Sequence, residues 1–162
     1  MRPTTTRLIA AAALLLGMSV QAQAQTVRLT AIMSGSSETP APGVITGATG
    51  TAEVFVNLAT NEVTYTVRVF NLPSGATGGH FHVGGVTAAG PVVVDLAPPA
   101  TISNDFTLSG TATAASLRAR PEQGIRDWED FIQSLIGGQV YVNIHSAVNP
   151  GGETRGQLTV AP

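Results

Sequence analysis

The stretch that decides the fold is residues 51–70, with the sequence TAEVFVNLATNEVTYTVRVF. It contains two runs in which apolar and polar residues alternate, separated by a short connection at residues 59–61. Successive side chains of a β-strand point to opposite faces of a sheet, so each run predicts a strand with one apolar face. The apolar faces comprise Ala52, Val54, Val56 and Leu58 in the first run and Val63, Tyr65, Val67 and Val69 in the second. We therefore predict a β-hairpin that buries one face and exposes the other.

Strand patterns also occur on both sides of this hairpin. Short runs rich in β-branched residues are separated by segments rich in glycine and proline, which favour turns. Residues 72–79 are predicted to form one of the loops. The further predicted strands are residues 27–33, 80–83, 91–96, 104–113, 139–145 and 154–160. This organisation predicts a mostly β fold, either an antiparallel β-sandwich or a barrel, with a Greek-key arrangement as one option.

One segment has helical rather than strand periodicity. Pro121 suits the first position of a helix, and Gly137 suits its end. We predict one helix within residues 121–136, before a late strand, with Trp128 as the residue that anchors it to the core. Its apolar residues recur at the spacing of a buried helix face: Ile125, Trp128, Phe131, Ile132, Leu135 and Ile136.

The N-terminal segment has the layout of a secretory signal. Residues 1–7 carry two arginines, residues 8–18 form an apolar run, and the small residues Ala22 and Ala24 suit a signal peptidase. An apolar run of this length is too short to span a bilayer, which takes roughly 20 residues in a helix. We therefore predict a signal peptide at residues 1–24 and export to the periplasm or the extracellular space.

The remaining residues, 25–162, are predicted to form a single domain. The chain contains no cysteine, so disulfide bonds contribute nothing to its stability. Its net charge of −2 would become −4 after loss of the two arginines at the N-terminus, and its charges are scattered. This charge distribution argues against nucleic acids and anionic membrane surfaces as partners. No membrane span is predicted after signal cleavage, and the sequence names no protein partner.

The histidines are the residues most suited to carry chemistry. The chain has three, His80, His82 and His145. Residues i and i+2 of a strand share a face, so the imidazoles of His80 and His82 can converge on one metal ion. His145 also lies on the face of its predicted strand opposite the apolar residues. Three neutral imidazoles suit copper or zinc, whereas the alternative is that they are ordinary histidines of a structural or adhesive module.

Signals for catalysis are weaker. The chain has no Gly-x-Ser-x-Gly segment of the kind that presents a nucleophilic serine. The acidic residues Asp127, Glu129 and Asp130 are predicted to form a solvated helix face. We therefore expect a binding protein rather than an enzyme, with no catalytic residue assigned.

The C-terminal segment resembles a known family. Residues 141–158, YVNIHSAVNPGGETRGQL, are similar to the signature of the CHRD domain, which is named after chordin. Residues 34–40 resemble the first loop of that family, and residues 80–84 and 90–96 resemble its middle block. The resemblance implies an exported β domain, because chordin is an extracellular protein that binds growth factors. It implies location and fold more than activity.

A fainter resemblance concerns copper-zinc superoxide dismutases. These enzymes use a His-x-His strand, a later strand histidine and a glycine-rich segment that leads to an arginine, and His80, His82, His145 and Arg155 occur here in that order. The chain lacks further histidines for a fourth copper ligand or a zinc site. These departures argue against full dismutase activity but are compatible with a three-histidine copper site, and an oxidoreductase that acts on superoxide is kept as a minor alternative.

Other polar residues have candidate roles around this site. Arg155 could attract a small anion, although its ordinary role would be a surface ion pair with Glu153. Asn143 and Glu153 could orient an imidazole ring. Glu38 could supply an oxygen ligand if its loop folds over the site.

Overall fold

The structure is a computed structural model that describes residues 25–96 and 103–162. The predicted signal peptide at residues 1–24 lies outside the described residues. Strands dominate the described part of the chain, with one α-helix, α1 (Trp128–Ile136), and three short 3-10 turns at Gly35–Ser37, Ala114–Ser116 and Pro121–Gln123. The strands are β1 (Thr26–Ser34), β2 (Thr49–Asn57), β3 (Glu62–Phe70), β4 (Ala76–Val83), β5 (Val92–Asp95), β6 (Phe106–Ala112), β7 (Val140–Ser146), β8 (Thr154–Gln157) and β9 (Thr159–Val160).

The strands form one antiparallel sheet that curls into a nearly closed, barrel-like arrangement. Their order is β5-β4-β7-β8-β1-β2-β3-β6, and β9 pairs with β1 beside this path. The apolar faces of the strands point to a shared interior, where the side chains of α1 complete the core. The prediction of a mostly antiparallel β fold with one helix before a late strand is confirmed.

The β2–β3 hairpin has the predicted alternation. Val54 lies opposite Tyr65 and Val56 opposite Val63, so the two apolar faces coincide. The connection is tight because the side-chain oxygen of Asn57 accepts the backbone N–H groups of Ala59 and Thr60 at 2.9 and 3.2 Å. The resulting strands expose one face and bury the other, as predicted.

The helix is shorter than predicted. The prediction that it begins at Pro121 is wrong, because Pro121–Gln123 is a 3-10 turn that ends at Gly124 in the left-handed region, with φ 81°. The α-helix begins seven residues later, after Asp127, whose side chain accepts the N–H of Asp130 at 3.0 Å. Asp127 is therefore the helix cap, and it is also exposed, as the prediction of a solvated charged face expects.

Trp128 anchors the helix to the core, as predicted. Its side chain is 7% exposed, and its ring centroid lies 4.8 Å from that of Phe131. The indole N–H donates to the carbonyl of Asn61 at 2.6 Å, which ties the helix to the β2–β3 turn. Within the described residues, no helix has the length and apolarity needed to cross a membrane.

Strand β4 begins four residues earlier than predicted, and this extension positions the candidate site. The predicted loop at residues 72–79 is wrong from Ala76 onward, because Gly78 and Gly79 pair with β7. A Cβ atom on Gly79 would lie 2.8 Å from Leu108 Cδ1, so glycine permits close packing against β6. The predicted last strand at residues 154–160 is instead two strands, β8 and β9, separated at the buried residue Leu158.

Candidate metal centre

The pairing of β4 with β7 brings the three histidines together. In the register of this pair, His145 lies opposite Gly78 and His80 lies opposite Asn143. The ring centroids are 4.7 Å apart for His80 and His145, and 5.6 Å apart both for His80 and His82 and for His82 and His145. One ligand nitrogen from each ring lies within 4.8 Å of the other two. The face predicted from strand parity is therefore the face on which the three rings meet.

Two of the rings are oriented by backbone carbonyl groups. Nδ1 of His82 lies 2.8 Å from the carbonyl oxygen of Gly90, and Nδ1 of His145 lies 2.9 Å from that of Pro150. A carbonyl oxygen only accepts hydrogen bonds, so Nδ1 of each neutral ring carries the proton. Nε2 of each ring then has a free lone pair, and both Nε2 atoms are buried without a hydrogen-bond partner.

The third ring has the opposite orientation. Nε2 of His80 faces Oδ1 of Asp95 at 3.6 Å, and the Asp95 carboxylate also pairs with Arg118. The free nitrogen of His80 is Nδ1, which is buried and has no hydrogen-bond partner. Each of the three rings therefore has one nitrogen without a partner, and its other nitrogen faces an acceptor. Metal-bound histidines usually have such an acceptor on the second nitrogen.

Burial favours the neutral form of His80 and His82. Desolvation lowers the pKa of His82 from 6.5 to about 4, with smaller contributions in the same direction from His145, His80 and Arg155. Burial and the neighbouring His145 also lower the pKa of His80. Because a metal ion binds the neutral imidazole, this environment leaves the nitrogens ready for a metal at neutral pH. Three nitrogen donors without a thiolate suit copper or zinc.

A buried polar layer lies beside the histidines. The amide of Asn143 donates to Oε2 of Glu38 at 3.4 Å, and both side chains are buried. Burial raises the pKa of Glu38 to about 7, against an opposing contribution from Arg155. Glu38 is not part of the group of converging ligand atoms, which consists of the three histidines. Its loop reaches Asn143 instead. The candidate role of Glu38 as an oxygen ligand is not supported by this geometry.

The prediction that Arg155 forms a surface ion pair with Glu153 is wrong. Arg155 is 2% exposed, and it donates to Oγ1 of Thr39 at 3.2 Å and to the carbonyl of Gly85 at 2.6 Å. Its guanidinium lies over the ring of Tyr141, 3.4 Å from the centroid. A buried guanidinium with these partners does not present the open surface that capture of an anion from solvent would need.

Glu153 has a structural role in the same region. Its carboxylate accepts hydrogen bonds from the hydroxyl groups of Thr46 and Ser146, and it contacts no imidazole through these bonds. The side-chain bonds to Ser146, Thr46 and Asn149 lower the pKa of Glu153 and outweigh its burial, which alone would raise the pKa. Glu153 therefore connects the turn after β7 to the segment before β2 rather than orienting a histidine.

The sequence-based reasoning missed the residues that hold the rings. Gly90 and Pro150 act through their carbonyl groups, so their side chains give no signal. Tyr141 has the same strand parity as His145, which predicts an outward position, yet it is buried and stacks on His82 with a centroid distance of 5.0 Å. The available signal was an aromatic residue at a predicted outward position, two residues before Asn143 and four before His145.

The fold and this cluster define the class of protein as an antiparallel, barrel-like β domain with a candidate metal centre on its outer face. The family model for the CHRD domain matches residues 29–158. The chain therefore belongs to the CHRD domain family, as its C-terminal motif indicated. No curated protein matches the chain.

Proposed function

We propose that this protein is an exported CHRD-type binding module that holds one copper or zinc ion through His80, His82 and His145. The observation that carries the proposal is the convergence of the three rings: one ligand nitrogen from each lies within 4.8 Å of the other two, and each ring has one buried nitrogen without a hydrogen-bond partner. Buried polar atoms normally have a hydrogen-bond partner, so three such atoms on three adjacent rings need an explanation. A metal ion would satisfy all three at once.

Copper is the favoured metal. The donor set consists of three neutral imidazole nitrogens, and the general affinity order places Cu²⁺ above Zn²⁺ at nitrogen sites. The role of the protein is to hold the three rings in place, through the carbonyls of Gly90 and Pro150 and the carboxylate of Asp95.

Export is the second part of the proposal. It is supported by the signal-like segment at residues 1–24 and by membership in a family whose domains are typically extracellular. We expect cleavage between Ala24 and Gln25. The intact mass of the protein recovered outside the cytoplasm tests this expectation, because a mass that still includes the apolar run would show that the segment is retained.

Calorimetric titration of the metal-free protein with Cu²⁺ and Zn²⁺ tests the site itself. Each of His80→Ala, His82→Ala and His145→Ala should weaken binding strongly, and the His80→Ala/His82→Ala double variant should abolish it. Thr77→Ala, an exposed position on the same strand, is the matched control and should bind as the wild type does.

Two results would overturn the proposal. Normal binding by His145→Ala would show that only the His-x-His pair binds metal, as many exposed strands could do. Absence of binding by the wild-type protein would favour the structural or adhesive module, whose histidines have no ligand role.

A further inference from the structure

The loop between β4 and β5, residues 84–91, is held in place by side chains from β7 and β8. Arg155 donates to the carbonyl of Gly85 at 2.6 Å, and Gln157 donates to the carbonyl of Gly84 at 3.0 Å. Tyr141 contacts the other end of the loop at Gly90. The same loop supplies the carbonyl group that faces Nδ1 of His82. Residues that hold the loop in place therefore also orient one histidine of the candidate centre.

Tyr141 contacts both Gly90 and His82. Its hydroxyl accepts the N–H of Gly90 at 3.0 Å and donates to the carbonyl of the same residue at 3.3 Å. Its ring stacks on His82 with an interplanar angle of 13°. The guanidinium of Arg155 also lies over the tyrosine ring, so the ring contacts both a cation and an imidazole.

We propose that Tyr141 is the positioning residue of the metal centre: by clamping Gly90, it fixes His82 as the Nδ1–H tautomer and so makes Nε2 the ligand atom. This inference rests on the proposed metal-binding function. One carbonyl oxygen, that of Gly90, receives both the Tyr141 O–H and the His82 Nδ1–H. The hydroxyl therefore acts on the group that decides which nitrogen of His82 carries the proton.

The backbone at Gly90 packs on the end of β4, and the Tyr141 hydroxyl is the partner of its N–H there. A Cβ atom on Gly90 would lie 1.6 Å from the carbonyl oxygen of Val83, so this part of the loop packs directly on the end of β4. The next residue, Pro91, accepts the N–H of Val83 at 3.2 Å. Because Tyr141 supplies the partner of the Gly90 N–H, removal of its hydroxyl leaves that donor unsatisfied and favours movement of the loop.

Nitrogen NMR of the metal-free protein at about pH 8, where imidazoles are neutral, tests the inference without depending on metal binding. In the wild type, we expect His82 and His145 as Nδ1–H tautomers and His80 as the Nε2–H tautomer. In Tyr141→Phe, which keeps the ring and its volume, the Nε2–H tautomer of His82 should become populated while His80 and His145 keep theirs.

The other tyrosine of the chain provides the matched control. Tyr65 lies in the core with its ring 5.7 Å from that of Phe81, and it takes part in none of the loop contacts described above. Tyr65→Phe should leave the His82 tautomer unchanged. Thermal unfolding of both variants separates a change in tautomer from a change in global stability.

The effect on metal binding is the second readout. Loss of a group that orients a ligand typically weakens metal affinity by about 10-fold or more, so Tyr141→Phe should bind Cu²⁺ about 10-fold more weakly than the wild type. If the NMR spectra showed the Nε2–H tautomer of His82 in the wild type, the inference would be overturned, even if no variant folds. A Tyr141→Phe protein with an unchanged tautomer and unchanged affinity would also overturn it, and normal copper binding in that protein would leave the proposed function intact.

Discussion

The outer faces of two parts of the sheet differ sharply. On β2 and β3, outward residues such as Thr51, Phe55 and Arg68 lie at the surface, and burial alternates strictly along each strand. On β7, both faces are enclosed, so that Tyr141 and Asn143 are buried although they point away from the core. The same alternating sequence pattern thus produces a solvated face in one region and a buried polar face in the other.

Loops cause this difference. The segment after β1 places Glu38 against Asn143, and the loop before β5 places Gly85 against Arg155. The turn before β8 also covers this face, because a Cβ atom on Gly152 would lie 2.6 Å from the Asn143 amide nitrogen. A polar face that is covered in this way must find internal partners, because unsatisfied buried groups are costly. The three histidine nitrogens that lack partners lie on this covered face.

The largest expected effect concerns the core that both regions share. Phe81→Ala removes a fully buried ring from β4 and should lower the free energy of unfolding by about 3–5 kcal/mol, because a cavity remains. Phe55→Ala removes the same side chain from the outer face of β2, where it is partly exposed, and should cost about 1 kcal/mol or less. Urea denaturation of both variants measures the contrast, and equal losses would contradict the assignment of the faces.

The second comparison uses the two arginines on the outer faces. Arg155→Met should destabilise the protein by about 3 kcal/mol, because the Glu38 carboxyl and two oxygen acceptors lose a buried cation. Arg68→Met, on the exposed face of β3, should change the free energy of unfolding by about 0.5 kcal/mol or less. A small effect at Arg155 would show that the covered face is open to solvent.

A smaller effect is expected in the pH dependence of stability. Burial raises the pKa of Glu38 from 4.5 to about 7, so the folded state binds this proton more tightly than the unfolded state. Glu38 therefore makes the free energy of unfolding fall as pH rises from about 4.5 to about 7, with no further change above that value. Between about pH 5 and 8, the wild type should lose about 1–2 kcal/mol relative to Glu38→Gln, after allowance for screening by water.

Denaturation of both proteins across this range provides the measurement. The histidines with lowered pKa values act in the opposite direction between about pH 4 and 6.5, but they are common to both proteins and cancel in the difference. Glu62→Gln, an exposed residue at the start of β3, is the matched control and should follow the wild-type profile. If the free energies of unfolding of Glu38→Gln and the wild type changed equally with pH, the raised pKa of Glu38 would be refuted.

The smallest effect is expected for an ion pair on the open face. Arg28 and Glu53 pair at 2.8 Å between β1 and β2, where both side chains remain partly exposed. Arg28→Ala should cost about 0.5 kcal/mol, and added salt should reduce this cost further, because solvent screens exposed pairs. A loss close to that of Arg155→Met would remove the distinction between the two faces.

The predictions from sequence succeeded where the pattern is local. Strict alternation over residues 51–70 predicted the hairpin, and strand parity placed His80, His82 and His145 on the outward face. The prediction for the start of the helix failed, because Pro121 and Glu122 suit a 3-10 turn as well as a first helical turn. The turn ends at Gly124 in the left-handed region, and α1 begins only after the cap at Asp127.

The sequence by itself determined which faces are apolar, where the hairpin turns, and that every histidine points away from the core. These properties follow from the two-residue period of strands and from turn chemistry, which act between neighbours in the chain. Only the tertiary structure decided that β4 pairs with β7, that loops cover this pair, and that Arg155 is buried over Tyr141. Such contacts join residues that are distant in the chain, and they depend on how the whole sheet closes, which no local pattern specifies.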